Sequence, residues 1–304
     1  MSRKLLLPRI RSWRQYGRMF TRRSLFRGAV QEILRHHGLP AGRLARTFPG
    51  TCAVFMVGRG RNTLLVKLFP PMTAGDWEAE RHALSRLRGR VPVPQVVAEG
   101  TLPDRSVWRY LVLKPVPGVA FREAVARMPH RDIMEVMRAV GQALRAVHRI
   151  RVRGPMPGRR VEWPGRMRGI TRDALRAYRE SGLFTARALE DMRRRLPVLI
   201  RPRVKPPYPL LHADLNEDHV MVRRAGGRWR FAGIIDWGDA EAGEPAYEWF
   251  PLWTGLMDRR MDRLHAFLAG YGKGGAMGNP VHGRRAAAII ACHRFAPSYH
   301  LRKR

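Results

Sequence analysis

The sequence predicts an α+β protein in two parts: a small antiparallel sheet crossed by a helix, then a larger, mainly helical part. Three observations carry this. Two β-rich runs, 51–57 and 63–69, flank Gly58-Arg59-Gly60-Arg61-Asn62, a hairpin signal. Pro115, Pro117 and Gly118 punctuate the chain just after an apolar extended run at 107–113. Beyond that crossing, helical periodicity dominates. A chain of 304 residues is long enough for one large or two modest domains with a real core.

The elements follow in order. Phe26, Val30, Ile33 and Leu34 have the spacing of an amphipathic helix that ends at Gly38-Leu39-Pro40. The two strands come next, and helical spacing returns at Trp77, Glu80, Leu84 and Leu87. The Val-Pro-Val-Pro run at 91–94 breaks that helix and leads to extended segments at 95–98 and 107–113. In the second part, helices are expected at 131–148, 172–180 and 185–196. The last has Thr185 as N-cap and Glu190–Arg194 and Asp191–Arg195 as i,i+4 pairs. A hairpin-like region, 221–222 and 229–235, surrounds Gly226-Gly227, and helices resume near 261–271 and 284–293. The expected division is a basic N-terminal extension, 1–23, a lobe at 24–114 and a helical lobe at 115–304.

Composition excludes several classes. Hydrophobic residues at 45% argue against disorder, and there is no run of about 18 uncharged apolar residues to span a membrane. Cys52 and Cys292 are too few for a disulfide scaffold or a cysteine metal cluster. Thr21–Val30, TRRSLFRGAV, looks like a twin-arginine signal, but Gln31-Glu32 and Arg35-His36-His37 interrupt the apolar segment such a signal needs. A cytoplasmic protein with a basic surface helix at its start is the expectation.

The formal charge is +34, and 52 of the 58 basic residues are arginine. Such a field favours polyanions and anionic membrane surfaces. It is uneven: residues 1–46 and 151–207 each carry +11, while 212–250 hold eight acids against four arginines. That acidic stretch is where a cation should be sought.

It is also where the chemistry concentrates. Residues 210–222, LLHADLNEDHVMV, are followed by a hairpin and then GIIDWGDA. A carboxylate after a strand, Asp214, and a second about twenty residues on, Asp236, suit phosphoryl transfer. One acid orients the attacking hydroxyl and accepts its proton; the other holds Mg²⁺ against the phosphates. Upstream, Lys67 is the one lysine of the first sheet, in LLVKLF, where its ammonium can reach α- and β-phosphates. Glu80 shares a helical face with Trp77, Leu84 and Leu87, which turns it inward toward Lys67. Pro115 lacks an N–H, so adenine-edge bonds at the crossing would use the Lys114 carbonyl and the Val116 N–H.

With VKLF, EAERHALSRL, VPVPQVVAEG, YLVLKPVPG, GQALRAVHRI, LLHADLNEDHV and IIDWGDAEAGEPAYEW in register over about residues 26–271, the chain resembles a known family. It is the aminoglycoside phosphotransferase and choline kinase branch of the bilobal protein-kinase-like fold. The resemblance implies that Asp214 is the catalytic aspartate and Asp236 the metal-binding one. Lys67 and Glu80 become the phosphate-anchoring pair, and the turn Phe48-Pro49-Gly50-Thr51 the cover of the triphosphate. His148 and His212 match positions that are usually architectural. Two departures stand out: where the family most often has a metal-binding Asn this chain has His219, a histidine that macrolide phosphotransferases also carry at this slot, and the turn after the metal aspartate reads Gly243-Glu244-Pro245. Imidazole is a poorer Mg²⁺ ligand than an amide oxygen, and Asn216 or Asp218 are alternative donors.

The expected function is therefore ATP-dependent transfer (with GTP an alternative donor), Mg²⁺-assisted, to a hydroxyl of a small molecule, antibiotic or metabolite. The charge points to a neutral or anionic acceptor, since a polycation would be repelled at long range. The competing reading is a catalytically weak kinase fold that binds nucleic acid or an anionic membrane through its arginine-rich surface.

Overall fold

The computed structural model describes residues 7–8, 10, 12–20, 22–48, 50–103, 106–272, 277 and 283–297. The upper lobe is a five-stranded antiparallel sheet in the order β1-β2-β3-β5-β4. Its strands are β1 (Leu44–Phe48), β2 (Ala53–Val57), β3 (Leu64–Phe69), β4 (Gln95–Pro103) and β5 (Val107–Lys114). The central strand β3 decides which side chain does what. Strand alternation sends Val66 and Leu68 to one face, where they pack with Phe55, Trp108 and Val112 under Phe26, Val30 and Ile33 of helix α2 (Arg23–His36). Lys67 and Phe69 point to the other face, toward helix α3 (Ala74–Leu87). The short helix α1 (Trp13–Gly17), capped by Ser12, buries Tyr16 against Trp108 and Phe20 on the α2 side.

The predicted helix at 26–38 and the strands at 51–57 and 63–69 form within a few residues of their expected bounds. Strand β1 was not foreseen. Leu44–Phe48, LARTF, has no apolar alternation of its own and becomes a strand by pairing with β2 at the sheet edge, Thr47 opposite Phe55.

The lower lobe begins where the 114–118 link leaves β5. Strand β6 (Val119–Ala120) joins the β9–β10 hairpin (Val220–Ala225 and Arg228–Ile234), and a second small sheet sets β8 (Tyr208–Leu211) between β7 (Arg151–Val152) and β11 (Glu241–Ala242). Helix α4 is the single turn Phe121–Ala124. The core helix is α5 (His130–Arg149), whose Val136, Val140, Leu144 and Val147 are buried. Helix α9 (Met261–Tyr271) crosses it closely: a side chain on Gly141 would strike the Phe267 carbonyl, and one on Gly270 the Arg138 carbonyl. Helices α6 (Trp163–Glu180), α7 (Ala186–Leu199), the short α8 (Trp249–Pro251) and α10 (Arg284–Cys292) complete the lobe.

Helix α6 starts nine residues before the expected 172. Its first turns, WPGRMRG, are poor helix formers; burial of Trp163 against Tyr247 and Gly243 holds them. Thr185 caps α7 as expected, its hydroxyl accepting from the Ala188 N–H at 3.2 Å. The acids of α7 make the expected i,i+4 pairs and closer i,i+3 ones beside them. Glu190 meets Arg193 at 2.9 Å and Arg194 at 4.0 Å; Asp191 meets Arg194 at 2.6 Å and Arg195 at 3.7 Å. Cys292 and His293 are core, the imidazole stacked on Phe250 at 4.8 Å.

Candidate active site

Lys67 gathers the site. Its ammonium lies 2.6 Å from Glu80 Oε2 and 2.7 Å from Asp236 Oδ1, so one cation ties the sheet, α3 and the lower lobe together. The expected inward turn of Glu80 is observed; its side chain is 2% exposed. Asp236 follows β10 in the left-handed region, φ 64°, and its side chain stays 49% exposed, facing the cleft. Burial would lower the pKa of the Lys67 ammonium, but Asp236 and Glu80 overrule it and hold the lysine charged. Burial pushes Glu80 up to about 7 against the pull of Lys67. The protein packed around Asp236 would raise its carboxyl, yet Lys67 and then His219 keep it well below the usual carboxylate range.

The loop after β8 carries Asp214. Asn216 donates to Asp214 Oδ1 at 3.2 Å, and His219 Nδ1 donates to the Asp214 carbonyl at 2.7 Å. A carbonyl only accepts, so Nδ1 carries the proton and Nε2 faces Asp236 Oδ2 at 3.5 Å. His219 thus sits between the two aspartates. Burial disfavours its charge, but Asp236 and Asp214 outweigh that and raise its pKa. Burial lifts Asp214 up to about 7, opposed by His219. His212 is architectural as expected, with Nε2 donating to the Ile235 carbonyl at 2.9 Å and Nδ1 accepting from the Asp214 N–H. His148 is likewise buried, paired with the Tyr271 hydroxyl at 2.8 Å.

Of the alternative donors to His219, Asp218 is withdrawn. Arg122 grips it with two bonds, 2.6 and 3.0 Å, and also meets Glu217 at 2.7 Å. Asn216 spends its carbonyl on the Asp218 N–H at 2.9 Å. Among the described residues no cluster of three or more His, Cys, Asp or Glu side chains is placed to hold a metal. A Mg²⁺ ion at this centre would be held by Asp236, with the Nε2 of His219 beside it, 3.5 Å from Asp236 Oδ2. The Asp236 carboxylate fits Mg²⁺, which is commonly held by one or two carboxylates while phosphates and water fill the other positions.

The remaining candidates lie on the β1–β2 turn and at the link after β5. Gly50 and Thr51 are exposed in the β1–β2 turn; after Cys52 come Ala53 and Val54, the residues paired with Leu68 and Lys67. The backbone of Phe48 ends β1; its side chain and Pro49 lie outside the described residues. Lys114 closes β5, exposed, and Val116 is buried in the link.

Three residues of the site carried no signal strong enough to be singled out. Buried Glu248 accepts the N–H groups of His212 at 2.6 Å and Ala213 at 3.0 Å, holding Ala213 at φ 66° one residue before Asp214. Arg159 bonds Asp76 of α3 at 2.9 Å and the Gly238 carbonyl at 2.6 Å. Beside it Gly75 and Gly158 touch backbone to backbone, and a Cβ on Gly75 would lie 2.5 Å from the Gly158 oxygen. Arg294 pairs with Asp239, three residues beyond Asp236.

A two-lobed fold with a lysine–glutamate pair on its sheet and two aspartate loops below defines a kinase-like phosphotransferase. The family model described as "Phosphotransferase enzyme family" matches residues 51–288, more than half of the chain, and the protein belongs to that family. No curated protein matches this sequence. Among solved structures, the chain is similar to wild-type aminoglycoside 2'-phosphotransferase-IIIa in its GDP complex, at 15% identity over 90% of each chain, TM-score 0.63. It is similar to aminoglycoside-3'-phosphotransferase of type VIII at 22% identity, covering 88% of this chain and 98% of that one, TM-score 0.56. A thermostable mutant of APH(4)-Ia, in ternary complex with AMP-PNP and hygromycin B, matches at 17% over 90% and 93%, TM-score 0.58. These identities speak for the fold. Among the described residues no helix is long and apolar enough to cross a membrane.

Proposed function

We propose that this phosphotransferase moves the γ-phosphoryl group of ATP, with GTP the alternative donor, to a hydroxyl of a neutral or anionic small molecule in the cytoplasm. The observation that carries the reading is the single ammonium of Lys67 held by both Glu80 and Asp236, with Asp214 on the adjoining loop. Lys67 would pair with the donor phosphates, and Glu80 would keep it aimed. The Lys114 carbonyl and the Val116 N–H would take the base edge, and the 48–51 turn would cover the triphosphate. Asp214 would orient the acceptor hydroxyl and receive its proton. Mg²⁺, held by Asp236 with His219 as second donor, would supply neutralisation of phosphate charge. The two lobes of this reading are 24–114 and 115–304, preceded by the basic segment 1–23.

The acceptor class follows from where the acids go. Of the eight in 212–250, Glu217 and Asp218 are bound by Arg122, Asp239 by Arg294, Glu241 by Arg159 and Arg166, and Glu244 by Arg285; Glu248 caps two amides. That leaves Asp214 and Asp236 for the reaction and, among the described residues of 212–250, no acidic wall for a polycation. A neutral or anionic hydroxyl compound suits such a cleft.

The test is a thermal shift with Mg²⁺ plus ATP or GTP on the wild type and on Asp236→Ala. Stabilisation of the wild type well beyond that of the variant is the expected result, and acceptor screening would begin with neutral and anionic compounds. No response from either protein would remove the basis for phosphoryl transfer.

A further inference from the structure

We propose that the groove between α6 and α7 binds an anionic single-chain amphiphile, an alkyl or acyl chain with a phosphate or carboxylate head, away from the phosphotransfer centre. The groove encloses about 1120 Å³, above the roughly 300–1,000 Å³ usual for a small-molecule site. None of Lys67, Glu80, Asp214, His219 and Asp236 lines it. Helix α6 stands between the two regions: Arg166 reaches Glu241 on one flank, while the flank carrying Arg168 and Arg172 faces the groove.

Two features define what fits. The floor is apolar, made by Met167 and Leu175 of α6, Leu189 of α7, and Ile200 and Val204 beyond it. Helix α7 buries Leu196 alone among its fourteen residues. The rim is basic. Arg168, Arg172, Arg176 and Arg179 follow one another along the exposed flank of α6, and Arg201 and Lys205 close the far end.

Among the described residues the rim charge is largely unmatched. Glu190 is the one acid among the lining residues, and Arg193 of its own helix takes both its oxygens at 2.9 Å. Asp191 Oδ1 accepts from Arg194 at 2.6 Å. Arg172 and Arg176 approach Asp173 at 4.0 and 3.8 Å, long contacts in an exposed pair, which count for little. A simple anion would leave the floor wet, and a neutral hydrocarbon would leave like charges crowded at the mouth. A chain with one anionic head satisfies both.

The proposal is tested by fluorescence titration of the full-length protein with cis-parinaric acid, then displacement by dodecyl phosphate, dodecyl maltoside, inorganic phosphate and a single-stranded oligonucleotide. Dodecyl phosphate should compete at least tenfold better than dodecyl maltoside, and inorganic phosphate should not compete. Arg172→Glu/Arg176→Glu should weaken parinarate binding at least tenfold. Arg88→Glu/Arg90→Glu, the same change of charge on exposed residues elsewhere, should stay within twofold. Leu175→Gln/Leu189→Gln should weaken it by a similar factor, and if that pair does not fold, the exposed arginine pair still decides. Equal weakening by both arginine pairs would overturn the proposal in favour of general charge attraction. So would displacement by inorganic phosphate or the oligonucleotide, absence of saturable binding, or sedimentation showing a dimer broken by Arg172→Glu/Arg176→Glu.

Discussion

Glu248→Gln separates the positioning of Asp214 from the binding of nucleotide. In the wild type the carboxylate accepts two backbone N–H groups, from His212 and Ala213, in a fully buried setting. Hydrogen bonds to a charged group contribute about 1.5–3 kcal/mol each. Glutamine keeps the volume but offers one oxygen, and its NH₂ must face the second amide donor. One bond is lost, the other loses its charge, and a buried N–H is stranded, for a cost of about 2–4 kcal/mol. The bonds also hold Ala213 at φ 66°, a conformation that costs a non-glycine residue of order 1–3 kcal/mol. Once released, residues 212–214 relax toward an ordinary backbone and carry Asp214 with them. A displacement near 1 Å is enough for a loss of about 100-fold in turnover.

Calorimetry should therefore show a fall in Tm of roughly 4–8 °C, taking about 2 °C per kcal/mol for a chain of this size. Turnover, with an acceptor in hand or as slow hydrolysis of the nucleotide, should drop by about two orders of magnitude. The rise in Tm with nucleotide should survive, because Lys67, Glu80 and Asp236 stand on other elements. A variant that melts within 1 °C of the wild type and turns over within twofold would refute the reasoning.

Three more outcomes are expected. His219→Asn should lower the Mg²⁺ concentration needed for half-maximal stabilisation by nucleotide while moving the Mn²⁺ midpoint little, because an amide oxygen is the harder ligand; unchanged midpoints would make His219 a support for Asp214 alone. Burial, then Arg294, holds the pKa of His293 well below its ordinary value of 6.5. Below about pH 6.5 the unfolded chain thus binds a proton that the folded one refuses, and stability falls as pH drops; Tm from pH 7.5 to 5 should decline more steeply for the wild type than for His293→Gln. Gly158→Ala should destabilise by about 2–4 kcal/mol in a denaturant titration, since its Cβ must push against the Gly75 carbonyl and φ is 81°; a cost under 0.5 kcal/mol would show that the contact yields freely.

What could be read in advance was what short-range rules decide. Strand alternation in LLVKLF and the helical face of Trp77, Glu80 and Leu84 were sufficient to bring Lys67 and Glu80 together. The cap at Thr185 rests on one residue and its immediate successors. Features settled by distant partners were not legible. Strand β1 exists because β2 offers it an edge, and α6 begins at Trp163 because Tyr247, 84 residues on, receives the indole. Asp218 reads locally as a metal donor until Arg122, 96 residues upstream, takes it. Glu248 is an acid in an apolar run with its partners 35 and 36 residues away, and no local pattern announces them. The charge summed by segment misled in the same way, because the arginines that cancel Asp239, Glu241 and Glu244 come from other stretches of chain.

The seam at Gly75 and Gly158, bolted by Arg159 to Asp76 and Gly238, makes α3 mechanically a part of the lower lobe although it is threaded between strands of the upper. Hinge bending at 114–118 would then slide the sheet over a fixed helix, dragging Lys67 away from Glu80 and breaking the ammonium's buried contacts. Exchange of nucleotide would then have to proceed with the two lobes held together at this seam.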